Sequence, residues 1–328
     1  MDLNAKSFLF AASALMLVAI FAPSSEAEAH SRRTATASSV HQPAFSPVVN
    51  PEVPSHVKFA GQTIKLDDND MWERLDRELT AMAYTHGNTM LCIKRANRYF
   101  PVIAPILKRN GMPADMIYLA AIESTMNPRA VSGAGAAGLW QFMASTAKEY
   151  GLEVSSDVDE RYDVEKATQA ACRYLKNAYE KYGNWESVAA SYNGGMGRVT
   201  KELDAQQAES AYDLWLAEET QRYMFRLLAM KMIMENPKDY GFQLKAHNLY
   251  QPIEYETVVV DGPVADWPQW AINHGIDYMT LREHNPWIRS KSLTNKSGKT
   301  YRVKVPKHES IRRSTQKQTV YNPNWIVD

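Results

Sequence analysis

A long succession of helical patterns between about residues 70 and 235 constrains the fold of this chain most strongly. The stretch "DMWERLDRELTAMAYTHG", which begins at Asp70, has apolar residues at three- and four-residue spacings and a plausible stop at Gly87. The apolar residues are Trp72, Leu75, Leu79 and Met82. Further helical segments are predicted at about 88–98, 101–109, 113–123, 144–150, 163–182, 185–191 and 219–234. Most of the chain is therefore expected to be helical.

The pattern changes after about residue 250. "YETVVV" and "KTYRVKVP" are strand-like, and "DWPQWAINHGI" and "YMTLREHNPWI" between them predict two short helices. This order predicts a small α+β (βααβ) module of some 50 residues. The stretch 289–317 is markedly basic, with Glu309 as its one acid, and it is either a solvated face or a surface for an anionic polymer.

Composition excludes several classes of function. The 37 basic and 37 acidic residues cancel, so no global field indicates nucleic-acid binding. The two cysteines and eight histidines have no metal-ligand spacing, and no glycine-rich phosphate loop is present. We therefore expect no metal and no cofactor. The two cysteines, Cys92 and Cys172, are either buried free thiols or a disulfide pair.

The N-terminus predicts export. Lys6 precedes an apolar run from Phe8 to Ala22, which is short for a bilayer span, and Ala27-Glu28-Ala29 suits cleavage before His30. We expect a signal peptide at 1–29 and a periplasmic, cell-wall-associated protein, with an uncleaved inner-membrane anchor as the alternative. Residues 30–60, rich in Pro and Ser, are predicted to be a linker.

One carboxylate stands in an apolar context. In "AAIESTMNPRAVSGAGAAGLWQF", Glu123 lies at the end of a predicted helix, and Pro128 disfavours helix at Asn127. The negative end of the helix dipole and desolvation both favour the protonated form, which would raise the pKa of Glu123 as a general acid requires. The alternative is a structural acid at a helix end.

Three downstream stretches carry side chains suited to a sugar ligand. "SGAGAAGLWQF" is a small-residue loop followed by the amide of Gln141, and "ASYNGG" presents Tyr192 and Asn193 before a glycine turn. "EETQRYMFRLLAMK" has Glu219 in the first turn of a helix. Taken singly, each has a structural explanation: Trp140 and Tyr192 as core aromatic residues, and Glu219 as a helix-end acid.

Together and in this order, the stretches resemble the lysozyme-like lytic transglycosylases of bacterial cell walls. Glu-Ser matches the first motif of that family, Gly-Leu-Trp-Gln the second, Ser-Tyr-Asn the third and Glu-Thr-x-x-Tyr the fourth. The resemblance covers about residues 88–235 and is greatest to the membrane-bound lytic murein transglycosylase D branch. Ser191 and Ala144 depart from the usual alanine and proline, and neither position is an acid or an amide.

The resemblance implies a mainly α, lysozyme-like (α+β) catalytic domain at 61–245. It also implies a divergent LysM-like peptidoglycan-binding module at 250–310, supported by "HNPWI", and a tail at 311–328. Glu123 is implied as the sole acid/base. The residues implied to bind substrate are Ser124, Ser132, Gly138, Trp140, Gln141, Tyr192, Asn193, Glu219 and Tyr223. The implied partner is the glycan strand of peptidoglycan, bound by a monomer.

A single carboxylate suffices if the substrate supplies the second group. The 2-acetamido group of N-acetylmuramic acid stabilises the cationic anomeric centre, and the C6 hydroxyl then closes a 1,6-anhydro ring. A hydrolase of the same fold would instead need a second carboxylate, for which Asp157, Asp159 and Glu219 are the candidates. A non-catalytic wall-binding protein is the third alternative.

Overall fold

The computed structural model describes residues 50–296 and 298–327. The predicted signal peptide and most of the predicted linker lie outside the described residues. Within the described ranges, no helix is both long and apolar enough to cross a membrane.

The described chain forms a helical domain that begins with a short antiparallel hairpin, β1 (His56–Phe59) and β2 (Gln62–Lys65). Eight α-helices follow: α1 (Asn69–Tyr84), α2 (His86–Arg109), α3 (Ile117–Ser124), α4 (Ala144–Glu149), α5 (Val164–Tyr182), α6 (Trp185–Gly194), α7 (Met196–Gln206) and α8 (Glu218–Glu235). The short helix α3 packs against α2 and α8, and α8 also packs against α1 and α6. The core of the domain therefore lies around α8.

Helix α5 shows how local sequence sets the helix ends. The Asp163 side chain accepts the backbone N–H groups of Glu165 and Lys166 at 3.0 Å each, which satisfies donors that an isolated helix start leaves unpaired. At the other end, Gly183 adopts a φ of 69°, the left-handed conformation that glycine accepts without steric cost. The apolar face between these ends is buried against α2 and α6.

Helix α2 differs from the prediction of two separate segments. It continues through Pro101 and Pro105, each of which removes one helical N–H donor. Both prolines lie on the exposed face, while Phe100, Ile103 and Ile106 are buried on the opposite face. We attribute the continuity of α2 to this buried face, whose burial offsets the loss of the hydrogen bonds.

The C-terminal module has the predicted βααβ order. Strands β3 (Tyr255–Val260) and β4 (Tyr301–Pro306) pair antiparallel, with Val258 opposite Val303, and α9 (Trp267–Asn273) and α10 (Tyr278–His284) lie between them in sequence. A short helix, α11 (His308–Ile311), follows β4. The module core includes Trp267, Leu281, Ile288 and Val303, each completely buried.

The module is not tethered loosely, because it shares its core with the helical domain. Ala137, Val158 and Tyr162 of the helical domain belong to the same buried cluster as the module residues. The Asp157 carboxylate accepts the N–H and the hydroxyl of Thr294 at 3.0 and 2.9 Å. The two parts of the described chain are therefore fixed to each other.

Two segments that were expected to lie outside the catalytic domain pack into its core. Val57 and Phe59, from the predicted linker, are buried with the helices. Near the C-terminus, the ring of Trp325 is buried against Phe100, and its Nε1 donates to Met234 O at 2.5 Å. Neither segment has a long enough periodic pattern for the sequence alone to show this.

The cysteines are free thiols, so the disulfide alternative is wrong. Cys92 Sγ lies 3.9 Å from Ala121 O and 4.0 Å from Met234 Sδ, and Cys172 is buried elsewhere in the same core. Desolvation raises the pKa of Cys92 to about 12 and that of Cys172 to about 11, which disfavours the reactive thiolate.

Candidate active site

Glu123 lies in the last turn of α3. The helix ends because Thr125 and Met126 adopt left-handed conformations, with φ values of 49° and 56°, before Pro128. Each such non-glycine residue costs roughly 1–2 kcal/mol, so packing must hold the turn in place. Met126 is completely buried and belongs to the main core. The turn presents the Glu123 side chain half-buried at the domain surface.

The environment of Glu123 favours its protonated form. Desolvation is the largest effect and raises the pKa of this carboxyl from 4.5 to about 7, with a smaller rise from the negative charge of Glu219. A hydrogen bond from Tyr223 and the positive charge of Arg226 act in the opposite direction. A carboxyl with this pKa is about half protonated near neutral pH, so it can both donate and accept a proton.

Two tyrosines surround this carboxyl. Tyr223, from α8, donates its hydroxyl to Glu123 Oε1 at 2.6 Å. Tyr192, from α6, donates to Trp140 O at 2.8 Å, and the Glu123 charge helps to raise its pKa. Desolvation holds the pKa of both phenols well above 10, so both remain neutral hydrogen-bond donors.

The loop between α3 and α4 is held by close backbone contacts. Gly138 has a φ of +81°, and a Cβ at this position would lie 1.8 Å from Arg161 O. The Gln141 side chain donates from Nε2 to Ala130 O at 3.2 Å and to Gly138 O at 2.7 Å. The amide nitrogen of Gln141 therefore closes the loop.

Arg161 is a residue of this region that the sequence analysis missed. Its Nη1 donates to Gly135 O at 2.9 Å and Phe142 O at 3.1 Å, and its Nη2 pairs with Asp159 Oδ2 at 2.7 Å. A buried arginine that binds two loop carbonyls fixes the shape of the loop. An arginine has no local pattern that predicts such contacts, because its partners lie 19 and 26 residues away in sequence.

Three residues that were predicted to bind substrate are buried beneath the site and do not line it. Trp140 is completely buried, and its Nε1 donates to Thr168 Oγ1 at 2.9 Å. Ser124 is buried, and its hydroxyl donates to Ala120 O at 3.0 Å. Gly138 is in van der Waals contact with a backbone carbonyl rather than with open space. We therefore reassign these three residues to the scaffold of the cleft.

Tyr223 is also buried, whereas the other predicted residues lie nearer the surface. Gln141, Tyr192 and Asn193 line one cavity of about 390 Å³, and Asn193 Oδ1 accepts the hydroxyl of Thr220 at 2.9 Å. Ser132 is exposed, and its Oγ accepts the N–H of Ala136. Glu219 is exposed at the start of α8, close enough to act electrostatically on Glu123. The structure thus brings side chains of all four motifs to one region.

A hydrolase would need a second carboxylate beside Glu123, and two of the three candidates for it bind other residues. Asp159 is buried in its ion pair with Arg161, and Asp157 binds Thr294 of the C-terminal module. Glu219 is the candidate that remains near Glu123. Among the residues that the structure describes, no group of three or more His, Cys, Asp or Glu side chains is arranged to hold a metal ion.

Comparison with known proteins finds two matching domains in this chain. A family model for the transglycosylase SLT domain matches residues 100–214, and one for the soluble lytic transglycosylase C-terminal LysM-like domain matches residues 256–309. The chain therefore belongs to the lytic transglycosylase family defined by an SLT domain, with a LysM-like domain at its C-terminus. The expected mainly α, lysozyme-like fold with a LysM-like module is confirmed.

Within this family the chain is similar to membrane-bound lytic murein transglycosylase D of Escherichia coli strain K12. It is 33% identical to that protein over 257 residues, which cover 76% of this chain and 55% of the relative. Membrane-bound lytic murein transglycosylase C of Haemophilus ducreyi is 28% identical over 163 residues, 42% of this chain and 44% of the relative. The chain thus spans about half the length of these relatives.

Among solved structures, the lytic transglycosylase Slt of Pseudomonas aeruginosa is 21% identical and aligns with a TM-score of 0.38. The alignment covers 49% of this chain and 32% of that one.

Proposed function

We propose that this protein is a lytic transglycosylase that cleaves the β-1,4 bond between N-acetylmuramic acid and N-acetylglucosamine in peptidoglycan. The cleavage consumes no water and leaves 1,6-anhydro-N-acetylmuramic acid ends. The observation that carries the proposal is the half-buried Glu123 carboxyl, whose pKa is about 7 and which accepts a hydrogen bond from Tyr223. The similarity to murein transglycosylases supports the choice of substrate.

In the proposed reaction Glu123 acts twice. As an acid it protonates the leaving glycosidic oxygen, and as a carboxylate it then takes the proton of the C6 hydroxyl that attacks C1 of the same sugar. Tyr223 stabilises the carboxylate between the two steps by its hydrogen bond. Tyr192 or Asn193 holds the 2-acetamido group, since a misaligned neighbouring group loses much of the advantage of proximity.

The hydrolase alternative depends on a second carboxylate that activates water. Asp157 and Asp159 are committed to other partners, which leaves Glu219 for that role. Glu219 is exposed in the first turn of α8, and its negative charge raises the pKa of Glu123. We therefore assign Glu219 to the electrostatics of the cleft and not to water activation.

Substitution of Glu123 tests the proposal. Glu123→Gln nearly keeps the shape of the side chain but cannot donate a full proton, so lysis of purified peptidoglycan should fall by roughly 10²–10⁴-fold while wall binding persists. The matched control is Glu218→Gln, an exposed glutamate of the same helix turn as Glu219, which should lyse at the wild-type rate. Wild-type turnover by Glu123→Gln would make Glu123 a structural acid and end the proposal.

We further propose that the protein acts in the periplasm on the cell wall, as the apolar N-terminal run predicts. The third alternative, a non-catalytic wall-binding protein, predicts no lysis by the wild-type chain and is tested by the same assay.

A further inference from the structure

A groove runs along the seam between the helical domain and the C-terminal module. It consists of two adjoining cavities of about 390 and 360 Å³ that share five lining residues: Arg98, Tyr250, Ile253, Glu283 and His284. We call it the seam groove. No residue is common to its lining and to that of the cavity formed by Gln141, Tyr192 and Asn193. Each cavity is of a size that binds small ligands.

The seam groove carries cations whose charge is not neutralised by carboxylates. Arg95 donates to Thr125 O at 3.2 Å, and Arg98 donates to Gln251 O at 2.9 Å. Within the described residues neither arginine forms an ion pair with an acid. A guanidinium has five N–H donors, so each arginine keeps donors for a ligand after these carbonyl contacts.

The acids that line the groove are largely engaged. Asp163 caps the start of α5 by accepting two backbone N–H groups. Glu283 faces Arg129 at 3.9 Å, at the limit of an ion pair, and both side chains are about half exposed or more. Lys304, which also lines the groove, pairs with Glu165 at 2.9 Å. Among the described residues this leaves Arg95, Arg98 and, in the second cavity, Arg313 without an acid in an ion pair, so the groove has an excess of positive charge.

The walls between these cations are aromatic and apolar. They include Tyr99, Tyr162, Tyr250, Tyr255 and Trp287. The Arg98 guanidinium lies 5.6 Å from the ring centre of Tyr250, which holds it over the groove. An apolar groove with a few convergent cations suits a ligand that has aliphatic parts and carboxylates.

The groove adjoins the helix end that carries Glu123. Arg95 binds the carbonyl of Thr125, two residues after Glu123, and Asn127 to Arg129 form part of the groove wall. The wall begins four residues beyond Glu123, which is at most about 14 Å along an extended chain. A peptide of a few residues can span this distance.

We propose that the seam groove binds the peptide stems of peptidoglycan through their free carboxylates. The inference rests on the proposed function, since it assumes that the glycan strand lies at Glu123. Sugars that carry an amide-linked stem are uncharged, whereas the stem has carboxylates that match the arginines. A glycan strand in the cleft would then place its neighbouring stem within reach of the groove.

The test uses the full chain with Glu123→Gln, so that nothing is cleaved, and a soluble tetrapeptide stem with free carboxylates. Titration calorimetry should give a Kd of about 1 mM or tighter, and amidation of the carboxylates should weaken binding about tenfold or more. Arg98→Ala and Arg129→Ala, added singly, should each weaken binding by a similar factor. Arg302→Ala, an exposed arginine of β4 that does not line the groove, is the matched control and should bind as the parent does.

A second measurement separates this inference from the proposed function. With Glu123 intact, Arg129→Ala should lower the cleavage rate of peptide-bearing strands several-fold more than that of peptide-free strands. Absence of peptide binding, or equal binding by the amidated peptide, overturns the seam-groove proposal even when the protein lyses peptidoglycan normally. A chain that binds the peptide but cleaves no strand contradicts the proposed function and does not contradict peptide binding in the seam groove.

Discussion

The hydrogen bond between Tyr223 and Glu123 makes a quantitative prediction about pH dependence. The Tyr223 hydroxyl donates to Glu123 Oε1 at 2.6 Å and lowers the pKa of a carboxyl that desolvation holds at about 7. Tyr223→Phe removes this donor without changing the ring. A hydrogen bond to a charged group contributes roughly 1.5–3 kcal/mol, and 1.36 kcal/mol corresponds to one pKa unit.

Part of that contribution is kept by the protonated carboxyl, so we expect a net rise of about one unit, to a pKa of about 8. Because the acid form must protonate the leaving group, kcat/KM falls as the pH rises through this pKa. At pH 8.5 the protonated fraction is about 3% for a pKa of 7 and about 24% for a pKa of 8. Relative to its own acidic plateau, Tyr223→Phe should therefore retain about eightfold more activity than the wild type at pH 8.5.

The assay is the pH profile of kcat/KM on soluble glycan strands between pH 5 and about 9. Tyr192→Phe is the matched control, because it removes a hydroxyl that binds Trp140 O and not Glu123. The alkaline limb of that variant should stay at the wild-type pH. If the limb of Tyr223→Phe stays at or below the wild-type position, Tyr223 does not tune Glu123 and the electrostatic account of the site is wrong.

Three further perturbations test the structure. The pKa of Glu123 is about 7 in the folded chain against an ordinary 4.5, so this group favours folding below pH 4.5, and that contribution is lost as the pH rises through 7. Glu123→Gln should therefore raise the free energy of unfolding by up to about 3 kcal/mol at pH 8 and by little at pH 4. Denaturant titration at the two pH values measures this, and equal effects at both would contradict the prediction. Gly138→Ala should destabilise the fold by about 3 kcal/mol or more, because the new Cβ would clash with Arg161 O. Gly135→Ala is the control: Gly135 has a φ of +84° but open space around it, so the loss should be only about 1–2 kcal/mol. Equal losses in stability would show that the clash at Gly138 does not occur. Truncation after residue 249 should lower the thermal stability of the catalytic domain, because it removes residues that share the core of that domain. Cleavage of soluble glycans and of insoluble wall should then fall alike. Loss of cleavage on insoluble wall only would mean that the module acts as an independent anchor.

The truncation result expected from the structure differs from the one that the sequence favours. With a separate βααβ module, the sequence predicts that the truncation weakens binding to insoluble wall more than it slows cleavage of short soluble glycans. The contacts of Asp157 with Thr294, and of Trp325 with Phe100, join residues that are far apart in the chain. Such contacts have no local pattern, so the sequence cannot show that the two parts share a core.

Local signals account for what the sequence did predict. Helix α5 combines an apolar period with Asp163 before its start and Gly183 after its end, and its predicted limits are nearly those observed. Helix α7 was missed because its first turn contains Met196-Gly197 after Gly195, which is typical of a loop. The hairpin β1–β2 was missed because its strands are four residues long and follow a proline-rich stretch.

The candidate site shows the same division. The apolar context and helix-end position of Glu123 predicted its raised pKa, and the structure agrees in direction. The sequence could not distinguish a cleft-lining aromatic residue from a buried one, so Trp140 was assigned to the substrate while it lies in the core. Arg161 was missed because its role depends on two carbonyls of a loop that only the tertiary structure brings to it.

The measurement that tests the central claim most directly is the mass of the products of peptidoglycan digestion. A C6 hydroxyl held next to C1 has an effective molarity that can reach ~10⁵ M, far above that of bulk water, so ring closure should outcompete hydrolysis. We expect muropeptides that end in 1,6-anhydro-N-acetylmuramic acid, each one water lighter than the hydrolysis product, and no incorporation of ¹⁸O from labelled water. Dominant products with a reducing N-acetylmuramic acid end that carries ¹⁸O would show that water is the acceptor and would contradict the single-carboxylate account of Glu123.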